Sequence, residues 1–226
     1  MTGLKPDHGP VSGKTKVTVL GRDFDQEGVC NVTCRYSTTE VFSEYYDNTH
    51  VACESPPVSV PGDAIVQVAL NGQQFTEYEH GENIGGSRFD ANPLRFRYYN
   101  NPLITDFKPK SGPSSGNSTV IIYGAGFVSQ NETTSDTEIW VMFNNTKTGE
   151  FLGKTKAYEI GLNEVRTYTP PAPAQTKAIL SISKNNYNFF EIRGLGLHAN
   201  DDYYTYYEAP HVKSIFPNNG KVKSKT

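Results

Sequence analysis

Cysteine offers the most reactive chemistry in this 226-residue chain, and all three cysteines, Cys30, Cys34 and Cys53, fall in its first quarter. Two can oxidise to a disulfide, which leaves the third as a thiol able to link a neighbouring molecule. Cys30 and Cys34 do not bond each other along a strand. Four extended residues span about 13 Å, and bridged Cα atoms lie within about 7 Å. Cys53 can therefore pair with Cys34 or with Cys30. A second chemistry belongs to asparagine. Asn31, Asn117, Asn131 and Asn144 each open an Asn-x-Ser/Thr sequon, the acceptor of N-linked glycans in a secreted chain.

Other residue types offer less. The histidines His8, His50, His80, His198 and His211 show no zinc-ligand spacing. Asp23, Asp25 and Glu27, or Asp201 and Asp202, supply oxygens for calcium, but solvated loops are the plainer reading. There is no Gly-x-Ser-x-Gly elbow and no phosphate loop. Gly85-Gly86 and Gly194-Leu195-Gly196 read as turns. Catalysis needs convergent titratable groups, so the expectation is a non-enzyme with no metal and no cofactor beyond its glycans. The net charge of −3 comes without a basic block, which argues against nucleic acid as a partner. No apolar run reaches the roughly 20 residues of a membrane helix, so no direct membrane insertion is expected.

These residues sit in a repeat. Pro109, Gly112, Pro113, Gly116, Val120, Ile122, Gly124 and Phe127 match Pro6, Gly9, Pro10, Gly13, Val17, Val19, Gly21 and Phe24 at a constant offset of 103. Phe216-Pro217-Asn218-Asn219-Gly220 opens a third copy. A period of this length is that of a domain. It divides the chain into units at 1–101 and 102–209, with an opening strand and turn at 210–226. Met1 and Leu4 fall on Ile104 and Phe107, so the chain is expected to start inside a strand and to belong to a longer protein.

Strand alternation recurs between Gly, Pro and Asn clusters, and helical periodicity is nearly absent. Val66, Val68 and Leu70 share one face before Asn71-Gly72, which reads as a tight hairpin turn. Ile139, Val141 and Phe143 match Val32, Cys34 and Tyr36. Leu180 and Ile182 match Val66 and Val68 at an offset of 114, and Tyr204 and Tyr206 match Phe96 and Tyr98 at 108. The drift places extra residues in loops, at 131–136 and 147–156 in the second unit and 80–92 in the first. Seven or so short strands per hundred residues predict an all-β fold of tandem immunoglobulin-like sandwiches, end to end.

Pro-x-x-Gly-Pro-x-x-Gly, a strand, then Gly-x-x-Phe resembles the opening of the IPT/TIG domain. Cys34-Arg35-Tyr36, Cys53 followed by Pro56-Pro57, and Asn71-Gly72-x-x-Phe75 resemble later parts of that family. The second unit lacks both cysteines and has Asn185-Asn186 for Asn-Gly. The resemblance implies an immunoglobulin-like sandwich. It also implies company with plexin- and Met-type receptors, multi-repeat surface proteins such as fibrocystin, algal and ciliate surface proteins, and Rel-type transcription factors. Cys34 and Cys53 are the favoured disulfide pair, because Val141 and Thr167 replace them together. Cys30 is then the thiol free to cross-link, unless it is the true partner of Cys53.

Tyr98-Tyr99 and Tyr203 to Tyr207 put tyrosines on both faces of each last strand. The outer set, Tyr99, Tyr203 and Tyr207, is expected to be partly exposed and to pack laterally on a neighbour, since tyrosine is enriched at interfaces. Tyr99-Asn100-Asn101-Pro102-Leu103 joins the units without a Gly/Ser linker, so a stiff rod is expected. The function expected is structural: a rod in an extracellular or cell-surface coat or filament, on cilia or flagella. Its partners would be other copies of itself, as a homo-oligomer or filament, or other surface proteins. A receptor or adhesion ectodomain that binds a protein ligand is the alternative.

Overall fold

A computed structural model describes residues 1–25, 27–76, 93–128, 137–192 and 203–220. The Asn131 sequon, His80, His198, both glycine runs and Asp201-Asp202 lie outside the described residues. Those described are all-β, without a helix.

The first unit holds β1 (Gly3–Lys5), β2 (His8–Pro10), β3 (Lys16–Leu20), β4 (Thr33–Tyr36), β5 (Thr39–Tyr46), β6 (His50–Glu54), β7 (Gly62–Ala69) and β8 (Arg95–Tyr99). They run in the order β1-β3-β6-β5-β4-β7-β8-β2. Strand β5 turns the corner of the sandwich. Its first half pairs with β4, and its second half, from Ser43 on, pairs with β6 with an irregularity between Ser43 and Tyr45. Such irregularities bend a strand from one layer into the other.

The second unit holds β9 (Leu103–Lys108), β10 (Ser111–Pro113), β11 (Thr119–Ala125), β12 (Trp140–Asn145), β13 (Phe151–Lys156), β14 (Glu159–Ile160), β15 (Glu164–Tyr168), β16 (Lys177–Ser183), β17 (Phe190–Glu191) and β18 (Tyr204–Tyr207). Here the corner strand is split into β13 and β14, and two sheets result: β10-β18-β16-β12-β13 and β14-β15-β11-β9.

Each unit has its own core. Val17, Val19, Tyr36, Val51, Val66, Val68, Phe96 and Tyr98 form the first. Phe107, Val120, Ile122, Phe143, Val165, Leu180, Ile182, Tyr204 and Tyr206 form the second. Alternation explains this directly: in β3 the buried residues are Val17 and Val19, flanked by less buried Lys16, Thr18 and Leu20. Successive side chains point to opposite faces, so one face of each strand lines the core. The opening turns coincide in detail. The bonds Lys5-Pro6, Lys108-Pro109 and Phe216-Pro217 are all cis. Lys14 N and Asn117 N donate to Ser55 O and Thr169 O, each at 2.8 Å.

The disulfide joins Cys34 in β4 to Cys53 in β6, with the Cα atoms 6.3 Å apart. It crosses the first core and ties one layer to the other, and both residues are fully buried. Cys30 is a free, exposed thiol. In the second unit Val141 and Thr167 are buried at the same places. The Thr167 hydroxyl, which a core must satisfy, lies 2.9 Å from Thr155 Oγ1 and 3.4 Å from the Lys156 carbonyl.

Asn71-Gly72 forms a wider loop than the expected two-residue hairpin. Among the described residues its flanks meet at the bridge between Ala69 and Phe75 and where Thr76 N donates to the Val68 carbonyl at 2.9 Å. Asn71 Oδ1 accepts the backbone N–H groups of Gln73 and Gln74, each at 3.0 Å. The chain folds around this side chain, as asparagine allows, and the loop needs more residues than a tight turn.

Candidate interface at the joint between the units

The loop at 184–188, between β16 and β17, is the counterpart of the loop at 70–74. It has the same internal design: Asn185 Oδ1 accepts the N–H groups of Tyr187 and Asn188, at 3.0 and 2.9 Å. Its outer edge lies on the opening turn of the first unit. Asn185 Nδ2 donates to the His8 carbonyl at 3.1 Å and to Asn188 Oδ1 at 2.8 Å. Thr15 Oγ1 donates to Asn188 Oδ1 at 2.7 Å, and Asn188 Nδ2 donates to the Lys14 carbonyl at 3.1 Å. The His8 Nε2 nitrogen lies 3.2 Å from the Lys184 carbonyl. Two side-chain amides thus read two backbone carbonyls and a hydroxyl across 173 to 177 residues of sequence.

Tyr99 corrects an expectation. It is 1 % exposed, not an outer-face contact open to a lateral neighbour. The Lys184 Nζ sits 4.9 Å from its ring centroid, and the His8 ring lies 5.9 Å away. Strand alternation does place Tyr99 opposite the core of its own unit, but the following unit covers it. A cation held over an aromatic face and out of water is attracted by the ring quadrupole. Tyr203 is half-buried, with the Lys177 Nζ 6.0 Å from its ring, and Tyr207 is 45 % exposed.

The joint itself is short. Pro102 is buried, and Asn101 Oδ1 accepts the Ser12 N–H at 3.4 Å. Beside it lies an open cleft of about 590 Å³ lined by residues of both units, including Asp63, Arg97, Trp140 and Asn186. Among the described residues, no cluster of three or more His, Cys, Asp or Glu is placed to hold a metal ion.

Asn185 is the residue on which the joint turns. It is 6 % exposed. Replacing it with Ala leaves the Tyr187 and Asn188 amides without their acceptor and removes the bond to His8, at about 1–3 kcal/mol for each buried group left unpaired. Asn185→Ala is expected to loosen the angle between the units, which small-angle X-ray scattering reads as a broader distance distribution at unchanged β content.

Of the sequon residues, Asn31 and Asn117 are exposed, and Asn144 is half-buried on the outward side of β12. Sequence reasoning missed the role of the Asn185–Asn188 pair. The signal for it was the repeated Asn at the 114 offset, Asn71 with Asn185.

Two immunoglobulin-like sandwiches, each opened by the same Pro/Gly turn and joined without a linker, define the chain as a tandem β-sandwich protein. The chain belongs to the IPT/TIG domain family, whose model matches residues 1–80 and 102–205. Similar solved structures include two of the plexin A4 extracellular region. One is 16 % identical with a TM-score of 0.48, covering 82 % of this chain and 14 % of that one. The other is 16 % identical with a TM-score of 0.43, covering 91 % and 18 %. A gamma-CGTase from Alkalophilic bacillus clarkii is 13 % identical with a TM-score of 0.30, covering 91 % and 25 %. The chain therefore spans no more than a quarter of the length of these proteins.

Proposed function

We propose that the chain is a non-enzymatic, extracellular module of receptor or adhesion type, and more narrowly a rod segment of a cell-surface coat or filament. The observation that carries this reading is the joint. Two units with separate cores are held in one relative orientation by the 184–188 loop seated on the turn at His8 to Thr15, with Lys184 closing over Tyr99. A fixed joint transmits a fixed rotation from unit to unit, as repeat arrays do. The disulfide supports an oxidising compartment, and the exposed Asn31 and Asn117 support glycans on the outer surface. Exposed Phe42 and Tyr45 on β5, at 77 % and 57 %, suit contact with another surface protein or another copy.

The test is secretion from a eukaryotic host followed by glycosidase treatment and mass analysis. A mass loss at Asn31, Asn117 or Asn144, with Cys34 and Cys53 oxidised, is expected. Unmodified asparagines with both cysteines reduced would defeat the extracellular reading. Electron microscopy of the native protein then separates rods or filaments from isolated, freely jointed units.

A further inference from the structure

The docking face that the first unit offers at its joint exists a second time, uncovered, on the second unit. Tyr207 stands where Tyr99 stands. Pro10 pairs with Tyr99 in β2·β8 and Pro113 with Tyr207 in β10·β18, both parallel. Val11 N donates to the Tyr99 carbonyl at 2.8 Å, and Ser114 N to the Tyr207 carbonyl at 2.7 Å. Asn117 has a φ of 58° where Lys14 has 60°. Ser118 offers a hydroxyl where Thr15 does, and their N–H groups donate to the matching hydroxyls of Thr169 and Ser55. The backbone of the acceptor is therefore the same in both units.

What differs is the cover. Tyr99 is 1 % exposed and Tyr207 45 %; Thr15 is fully buried, and Ser118 is only half-buried. In the first unit the difference is made by Lys184, Asn185 and Asn188 of the unit that follows. We infer that Tyr207, Ser118 and the Ser111 and Asn117 carbonyls form the seat for the Asn-centred hairpin loop of the next IPT/TIG unit in line on the same chain. That loop would bring a side-chain amide to each carbonyl and a long side chain across the Tyr207 ring. The contact is head-to-tail, so each unit supplies one loop and one seat, and such a heterologous interface can be passed on from unit to unit. The side chain of Lys14 is exposed with the loop in place, so a glycan on Asn117 projects past the docked loop. Tyr207 thereby becomes a longitudinal contact. This inference rests on the in-line arrangement proposed above, but its test reads one tyrosine and leaves the compartment and the glycans untouched.

The experiment adds a known loop. Residues 1–209 are followed directly by a second copy of 102–226, so that Ala209 meets Pro102 as Asn101 does in the natural joint. Exposed tyrosines are nitrated with tetranitromethane and read by mass spectrometry, in this chain and in the unextended one. Tyr207 is expected to react in the unextended chain, to fall to the unreactive level of Tyr99 in the extended one, and to regain reactivity when the added copy carries Lys184→Ala and Asn185→Ala. Equal reactivity of Tyr207 in both chains would overturn the inference. So would protection of Tyr207 in the unextended chain that grows with concentration, because the loop would then come from a second molecule. Buried Tyr204 and Tyr206 report folding. If they react, the seam is moved to Pro210 followed by Leu103, and the same outcomes decide.

Discussion

The Cys34→Val, Cys53→Thr double variant will unfold its first unit well below the parent while the second unit keeps its midpoint. The closed loop has a sequence separation of 19 residues, worth about 3 kcal/mol in the chain-entropy account. For a unit of this size that is a fall of roughly 12–24 °C. The variant carries the pair that the second unit uses, so volume and backbone are as close to native as the protein itself offers. Yet the transplant is incomplete. Thr155, which contacts the Thr167 hydroxyl at 2.9 Å, lies in β13 opposite Val141. The residue opposite Cys34 is Val41, which has no hydroxyl. The new Thr hydroxyl therefore lacks the Thr155 partner of its counterpart and has the Ser43 side of β5 opposite it instead; a buried hydroxyl left without a bond adds about 1–3 kcal/mol. Adding Val41→Thr should recover part of the loss. Differential scanning calorimetry reads all three chains. A reductant that lowers neither transition in the parent would show that the bridge contributes nothing, and the account would fail.

What could be read in advance divides along the range of the contacts. The Pro/Gly turn, the alternating strands and the corner at Gly-x-x-Phe are local, and two copies in register made them visible. The pairing of Cys34 with Cys53 was legible for a related reason: losing one half of a cross-link removes the use of the other, so both positions change together. Tyr99 was misread because a strand has only two faces on its own unit. The cover over its outer face comes from Lys184, and no periodicity within 95–99 reports a residue so distant. Asn185 and Asn188 were opaque for the same reason. Asn185 satisfies the loop's own N–H groups while both amides reach carbonyls of another unit, and the sequence displays only the turn-forming half of that work. The Asn71 loop width was missed because Asn-Gly suits a two-residue turn, and the side-chain route taken instead depends on Gln73 and Gln74 amides arriving at Asn71 Oδ1.

The repeated glycine of the opening turn gives the second large effect. Gly116 has a φ of +72°, and a Cβ there would stand 2.6 Å from the Pro170 carbonyl carbon and the Pro171 nitrogen. Gly13 has the same φ, and its Cβ would meet Pro56 and Pro57 at 2.7 Å. The Pro-Pro segment that ends one strand thus lies directly across the glycine that begins another, and this is why the two motifs travel together in both units. Two costs follow for Gly116→Ala. The left-handed backbone costs an L-residue about 1–2 kcal/mol, and backbone atoms of a proline pair have little room to retreat. The sum is expected at about 3 kcal/mol or more, which is large for one methyl group. Gly149 separates the two costs. Its φ is +71°, but nothing lies within 4 Å of its Cβ position, so Gly149→Ala should show the conformational part alone. Urea denaturation of both variants gives the comparison. A larger loss at Gly116 than at Gly149 is the contact between turn and proline pair. Equal losses would mean that the pair moves aside, and that glycine is required in the turn for its backbone angle only.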